Sequence, residues 1–152
     1  MANNHHNRTS ILIVDDHEVV RNGIRAYLET VKEFQVVGEA ASGEDAIKLV
    51  SEHIPDIVLL DLIMPKMNGF EFVAELHKHD EWQSIPIIVV TAGDVTIQDR
   101  VRLDGYVEKV LRKSALSEDA LLAEIRDLIS VCVQRKQQSQ HKTAGVASTA
   151  QP

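Results

Sequence analysis

The chain has 152 residues, 44% of them apolar and 26% charged, so its length and composition suit a single soluble domain with its own core. A net charge of −7 argues against a nucleic-acid-binding surface, which needs clustered basic residues. A lone cysteine, Cys132, excludes an internal disulfide, no apolar run approaches the ~20 residues that span a bilayer, and the polar N-terminus lacks a signal-peptide core, so we expect a cytoplasmic protein.

Short runs rich in Val, Ile and Leu alternate along the chain with segments of helical periodicity. The runs predict five strands, at residues 10–14, 34–40, 56–60, 86–90 and 109–112. Most of these runs are apolar without alternation, which is typical of strands buried on both faces. Each strand is followed by a predicted helix, and Asn68 with Glu71 has the spacing of a capping box. The order predicts an α/β fold with a doubly wound, five-stranded parallel sheet.

Composition changes at both ends of this pattern. From residue 134 the chain is rich in Gln, Ser, Lys, Thr and Ala and has almost no large apolar residues. Such a segment cannot bury enough apolar surface to offset the entropy of ordering. We therefore expect one folded domain at 10–133, with a disordered N-terminal segment at 1–9 and a disordered tail at 134–152.

Polar side chains follow four of the five predicted strands. Asp15 and Asp16 follow the first, Asp61 the third, Thr91 the fourth and Lys113 the fifth. Because the carboxyl ends of parallel strands share one edge of a sheet, these groups should converge there. Three carboxylates in one place suit Mg²⁺, with Mn²⁺ as the alternative ion. If one carboxylate attacked a phosphoryl group, metal and lysine would stabilise the developing charge.

Each of these residues also has a simpler interpretation. Asp16 would serve as a helix cap, Asp61 as a turn residue and Asp15 as a solvated loop acid. Thr91 would only fill a strand end, and Lys113 would be a surface charge. The functional interpretation depends on their occurrence together at four separate strand ends.

Three segments carry a specific resemblance to a known family. They are "ILIVDDHEVVRNGIRAYL", "PDIVLLDLIMPKMNGFEF" and "PIIVVTA". In these segments the chain resembles a response-regulator receiver domain, the phosphoacceptor module of two-component signalling, over about residues 10–133. The resemblance implies a flavodoxin-like sheet of order 2-1-3-4-5.

The resemblance also assigns roles to residues. Asp61 matches the phosphorylated aspartate, Asp16 the direct Mg²⁺ ligand and Asp15 the acid that acts through a metal-bound water. The backbone carbonyl of Ile63 would complete the metal ligands, and Thr91 matches the switch hydroxyl.

Two lysines compete for the remaining role, since Lys109 opens the last strand and Lys113 follows it. The family places its lysine at the end of the strand, so we choose Lys113. The chain departs from the family at Val110, where many members carry a switching aromatic residue, and at Gly93, which leaves the mouth of the site open.

By this resemblance the chain is a signalling phosphoacceptor, not an enzyme. A phosphohistidine on a histidine kinase or a phosphotransfer protein would donate to Asp61. The fourth helix, fifth strand and fifth helix would then change their binding of a downstream effector or of a second copy. No contact with nucleic acid or membrane is expected.

Several alternatives stay open. The first half resembles receivers with a DNA-binding output domain and the second half those of hybrid histidine kinases, so the chain is a stand-alone regulator, an excised receiver or a recombined one. A pseudo-receiver would only bind partners. A haloacid-dehalogenase-type phosphatase needs a second acid where Ile63 stands, and a nucleotide hydrolase needs a Gly-Lys-Ser/Thr loop that the sequence lacks.

Overall fold

The computed structural model describes residues 8–64, 67–113 and 117–149, with side chains described to residue 135. All five strands are parallel and stand in the order β2-β1-β3-β4-β5, which confirms the expected order. The strands are β1 (Thr9–Val14), β2 (Phe34–Ala40), β3 (Ile57–Leu60), β4 (Ile87–Thr91) and β5 (Lys109–Arg112). The helices are α1 (Glu18–Leu28), α2 (Gly43–His53), α3 (Gly69–His77), α4 (Ile97–Leu103) and α5 (Glu118–Thr149).

The central strands bury side chains on both faces of the sheet. Val58 and Leu60 of β3 pack with α2, α3 and α4, whereas Ile57 and Leu59 pack with α1 and α5. All four residues are at most 2% exposed, so neither face of this strand has polar positions. Two apolar layers, one on each side of the sheet, explain the unbroken apolar runs in the sequence.

Side-chain caps fix where three of the helices begin. The predicted capping box of α3 is confirmed, because Asn68 accepts a hydrogen bond from the backbone of Glu71 and the Glu71 carboxylate accepts one from the Asn68 N–H. Thr96 and Asp99 form a second capping box at the start of α4. At the start of α2, the Ser42 hydroxyl accepts a hydrogen bond from a backbone N–H of the first turn. These caps start α3 and α4 immediately after the loops that follow β3 and β4.

Helix α5 is longer than the sequence predicts. The described apolar face ends at Cys132 and Val133, near the predicted domain boundary, but the backbone stays helical to Thr149. The Gln, Lys, Arg and Ala residues there favour helix locally, although they bury little apolar surface. At the other end Thr9 already belongs to β1, and the predicted disorder of residues 1–7 and 150–152 lies outside the described residues. Across the described part, no helix has the length and apolarity needed to cross a membrane.

Candidate functional site

The acids after β1 and β3 are held at the same edge of the sheet. The Asp15 N–H donates to the Ala40 carbonyl at 2.9 Å, and the Asp61 N–H donates to the Val14 carbonyl at 2.8 Å. Each bond continues the sheet's ladder one residue beyond a strand end. Asp15 and Asp61 are thereby buried, at 3% and 2% exposure. Their backbones are therefore placed by the sheet rather than by a free loop.

Four side chains form one cluster of potential metal ligands. Asp15, Asp16, His17 and Asp61 each place one ligand atom within 4.8 Å of the others. One oxygen of Asp16, Oδ1, is buried and has no hydrogen-bond partner among the described residues. His17 Nδ1 lies 3.2 Å from it but without hydrogen-bond geometry. An unpartnered carboxylate oxygen beside two more acids fits a hard divalent cation such as Mg²⁺.

His17 is the member of this cluster that the sequence analysis missed. Its Nδ1 also lies 3.3 Å from Asp15 Oδ1, and its backbone N–H donates to the same oxygen at 2.8 Å. The sequence signal that could have identified His17 is its position directly after the acid pair, Asp15 and Asp16. The three carboxylates suit Mg²⁺ or Mn²⁺, whereas an imidazole ligand is more typical of Fe, Ni, Cu or Zn.

The structure brings Lys113 to the acids and leaves Lys109 on the surface. Lys113 Nζ lies 2.8 Å from Asp15 Oδ2 and 3.7 Å from Asp61 Oδ2. Its side chain is only 15% exposed, so the charge acts in a poorly screened environment. Lys109 is exposed at the start of β5. Lys113 therefore supplies a positive charge shared by two buried carboxylates.

Thr91 and Ile63 flank Asp61 from two sides. Thr91 ends β4 and is 1% exposed. The Ile63 N–H donates to Asp61 Oδ1 at 3.2 Å, while the Ile63 side chain is 62% exposed. That side chain reaches toward Gly93, where an added Cβ would lie 3.1 Å from Ile63 Cδ1. The open mouth expected at Gly93 is thus bordered by an apolar side chain.

Burial controls the ionisation of Asp61. Loss of solvent raises the pKa of the Asp61 carboxyl above its usual 3.8, and the nearby Asp15 charge raises this pKa further. Lys113, the Ile63 N–H and, more weakly, the Thr91 hydroxyl act in the opposite direction. The negative charge of Asp61 is therefore destabilised by its surroundings until more positive charge arrives.

An Asp61→Asn variant should be more stable than the parent protein at neutral pH without metal. An acid with a raised pKa in the folded state favours folding when protonated, so its ionised form costs stability above that pKa. We expect a gain on the order of 1 kcal/mol, at the low end of what an imperfectly compensated buried polar group costs. The gain should fall as pH drops through the folded pKa toward 3.8.

Urea denaturation with a chelator present measures this difference. The control is Asp104→Asn, which removes an exposed carboxylate and should change stability by less than about 0.5 kcal/mol. An Asp61→Asn variant no more stable than its parent at neutral pH would contradict the expectation.

A network of ion pairs between α1 and β2 supports the segment that carries Asp15 and Asp16. Arg21 donates to the Asp15 carbonyl oxygen at 2.6 Å and pairs with Glu39 of β2 at 3.2 Å. Arg25 pairs with the same glutamate at 2.6 Å. The side chain of Arg21 is mostly buried, at 16% exposure, so its guanidinium fixes the loop between β1 and α1. No local sequence pattern marks Arg21, because its bond to the Asp15 carbonyl depends on Glu39 in a distant strand.

The first residue of α3 lies close to the backbone that follows β3. The Gly69 N–H donates to the Leu62 carbonyl at 3.0 Å. A Cβ at position 69 would lie 2.7 Å from the Leu62 Cα and 2.8 Å from the Asp61 carbonyl oxygen. Only glycine allows the start of α3 to approach this backbone so closely.

These features can be compared with known proteins. The family model for the response regulator receiver domain matches residues 11–126. The chain belongs to this family.

Known relatives of this receiver are bacterial regulators. The response regulator protein VraR of Staphylococcus epidermidis is 39% identical over 109 residues, which are 72% of this chain and 51% of the relative. The transcriptional regulatory protein DegU of Brevibacillus brevis is 34% identical over 116 residues, 74% of this chain and 48% of the relative. The receiver thus spans about half the length of such relatives.

Solved structures agree with the fold. A LuxR-family two-component response regulator from Aurantimonas sp. SI85-9A1 superimposes with a TM-score of 0.69 at 29% identity, covering 81% of this chain and 86% of that one. The response regulator domain of Thermotoga maritima CheB gives a TM-score of 0.73 at 21% identity, covering 84% and 97%. The second likeness concerns the fold alone.

Proposed function

We propose that this receiver is a phosphoacceptor switch in which a phosphohistidine donates its phosphoryl group to Asp61. A carboxylate oxygen of Asp61 attacks phosphorus, the P–N bond breaks, and the histidine nitrogen keeps the electron pair. Asp15, Asp16, Asp61 and the Ile63 carbonyl would hold Mg²⁺ or Mn²⁺. The cation would offset the charge of the acids and of the transferred oxygens.

One observation carries this proposal: a buried carboxylate faces a mostly buried lysine within an acidic cluster. Asp61 is 2% exposed, lies 3.7 Å from Lys113 Nζ and shares the 4.8 Å cluster with Asp15 and Asp16. A purely structural acid would be better served by one close partner than by two further acids. The arrangement suits a group that receives an anionic phosphoryl group beside the ammonium group of Lys113.

The phosphorylated form would act through the switch face, formed by α4, β5 and α5. A phosphoryl group adds a charge of roughly −1.5 to −2, which attracts the Thr91 hydroxyl and Lys113. Thr91 directly precedes the loop to α4, and Lys113 directly follows β5. On α4, Ile97 and Val101 are 80% and 69% exposed, so apolar contact area is available to a partner or a second copy.

This role makes the receiver a substrate of its partner rather than a turnover enzyme. The donor would be a histidine kinase or phosphotransfer protein in the cytoplasm, and the receiver's own residues would assist later hydrolysis. The chain would act as a stand-alone regulator or as a receiver cut or recombined from a longer one. In the alternative of a pseudo-receiver, the same fold would bind partners without accepting phosphate.

Intact mass after incubation with a small phosphodonor and Mg²⁺ tests the proposal. We expect one added phosphoryl group, absent without the cation and absent in Asp61→Asn. Hydrogen–deuterium exchange on the same sample should change in α4 and β5, and an Asp104→Asn control should behave like the parent. No adduct at short, quenched time points would favour the pseudo-receiver, and an adduct without altered exchange would contradict the switch.

A further inference from the structure

A cavity of about 420 Å³ lies between α3 and α4, outside the acidic site. Its deepest lining residues, Val73 and Leu103, are buried members of the core. The rings of Phe70 and Tyr106 also line it, and Tyr106 is 48% exposed. A concave, mostly apolar cavity of this volume is within the range of small-molecule sites.

A guanidinium with no acidic partner gives this cavity a polar end. The Arg102 Cζ stands 4.0 Å from the centroid of the Phe70 ring, a cation–π contact that fixes the side chain. Arg102 has no carboxylate within ion-pair distance in the part of the chain that the structure describes. Its planar donors are therefore free to bind an anion, in a molecule whose net charge is −7.

The other ionisable lining residues are also basic. Lys78 is compensated by Glu75 at 3.3 Å. Burial lowers the pKa of His77, so its ring is neutral near neutral pH and packs edge-on against Tyr106 with centroids 4.3 Å apart. No acidic side chain is among the described residues that line the cavity. Arg102 is thus its principal uncompensated charge.

We propose that this cavity binds a small amphipathic anion, with an aromatic or branched apolar body against Phe70 and Tyr106 and a carboxylate, sulfonate or phosphate on Arg102. Arginine pairs such groups through parallel N–H donors, and the Phe70 ring holds the exposed Arg102 guanidinium beside the cavity. The site bridges α3, which follows Asp61, and α4, which follows Thr91. An occupant would therefore tie together the two helices on either side of the acidic site, and its binding does not require Asp61 to be a phosphoacceptor.

Two dyes that differ in charge provide the test. Anilinonaphthalene sulfonate is an aromatic anion of the proposed class, and phenylnaphthylamine has the same aromatic body without the sulfonate. Fluorescence titration of the full chain should show saturable binding of both. Arg102→Gln should weaken the sulfonate dye about tenfold, as expected for losing a charge-assisted hydrogen bond, and leave the neutral dye unchanged.

Arg100→Gln is the matched control, because Arg100 lies on α4, is exposed and lies outside this cavity. It removes the same charge and should affect neither dye. Ala74→Trp, at an exposed lining position, should block both dyes, with circular dichroism checking that the fold persists. The proposal is overturned if the parent protein shows no saturable binding of the sulfonate dye. It is also overturned if Arg102→Gln and Arg100→Gln weaken that dye equally, or if folded Ala74→Trp still binds both.

Discussion

Replacing Lys113 with alanine should lower the free energy of unfolding by about 3 kcal/mol at neutral pH in metal-free buffer, the cost of breaking a buried ion pair. Lys113 is the described cation between Asp15 and Asp61, at 2.8 Å and 3.7 Å from their oxygens. Without it, two carboxylates that are at most 3% exposed would face each other unpaired. Urea denaturation measures the loss.

Two further variants separate this effect from a simple loss of side-chain packing. Lys109→Ala removes an exposed lysine from the same strand and should change stability by less than about 0.5 kcal/mol. Adding Asp15→Asn to Lys113→Ala should recover a large part of the loss, because it removes one of the two unpaired charges. Equal losses in the two lysine variants, or no recovery in the double variant, would show that charge is not the cause.

A Gly69→Ala variant should lose about 2–3 kcal/mol of stability, the cost of forcing an atom into a packed site. The new Cβ would lie 2.8 Å from the Asp61 carbonyl oxygen and 2.7 Å from the Leu62 Cα. Both are backbone atoms, so no side-chain rotation relieves the overlap. Because the backbone at Asp61 and Leu62 must move, the phosphorylation that we propose for Asp61 should also slow. Denaturation and the rate of mass increase with a phosphodonor measure the two effects.

Gly23→Ala is the control for this substitution. Gly23 lies inside α1, and the nearest atom to an added Cβ there is a Glu118 carboxylate oxygen at 4.0 Å. Alanine in a helix interior should stabilise by roughly 0.5–1 kcal/mol relative to glycine. If Gly69→Ala were instead as stabilising as Gly23→Ala, the close approach of the start of α3 to the backbone of Asp61 and Leu62 would be wrong.

Sequence patterns were sufficient for the fold because they report burial and chain order directly. The unbroken run from Ile57 to Leu60 predicts a strand buried on both faces, and the structure has it so. The ends of the predicted strands also identify the edge of the sheet where polar groups meet, because the carboxyl ends of parallel strands all lie at the same edge. This rule predicts from the sequence alone that Asp15, Asp61 and Lys113 lie close together.

What the sequence left out depends on packing between distant segments. The bond from Arg21 to the Asp15 carbonyl is supported by Glu39 from another strand, so no local pattern contains it. Asn68-Gly69 signals a turn, but the reason for glycine is contact with the backbone of Asp61. The cavity beside Arg102 likewise depends on how α3 and α4 lie together. The length of α5 was not predicted, because composition indicates how much apolar surface a segment can bury and does not indicate its helix propensity.

The ladder bonds beyond β1 and β3 also bear on the order in which parts of the molecule open. The amides of Asp15 and Asp61 are bonded to neighbouring strands at the carboxyl-end edge of the sheet, so we expect them to exchange with solvent only in openings that disrupt the sheet. Helix α4 has seven residues and only Leu103 is buried, so it can open locally at far smaller free energy. We therefore expect the backbone amides of Asp15 and Asp61 to exchange more slowly than those of α4. A signal from Asp61 would need to bias only the opening of one short helix, and the sheet that holds the acids would stay closed throughout.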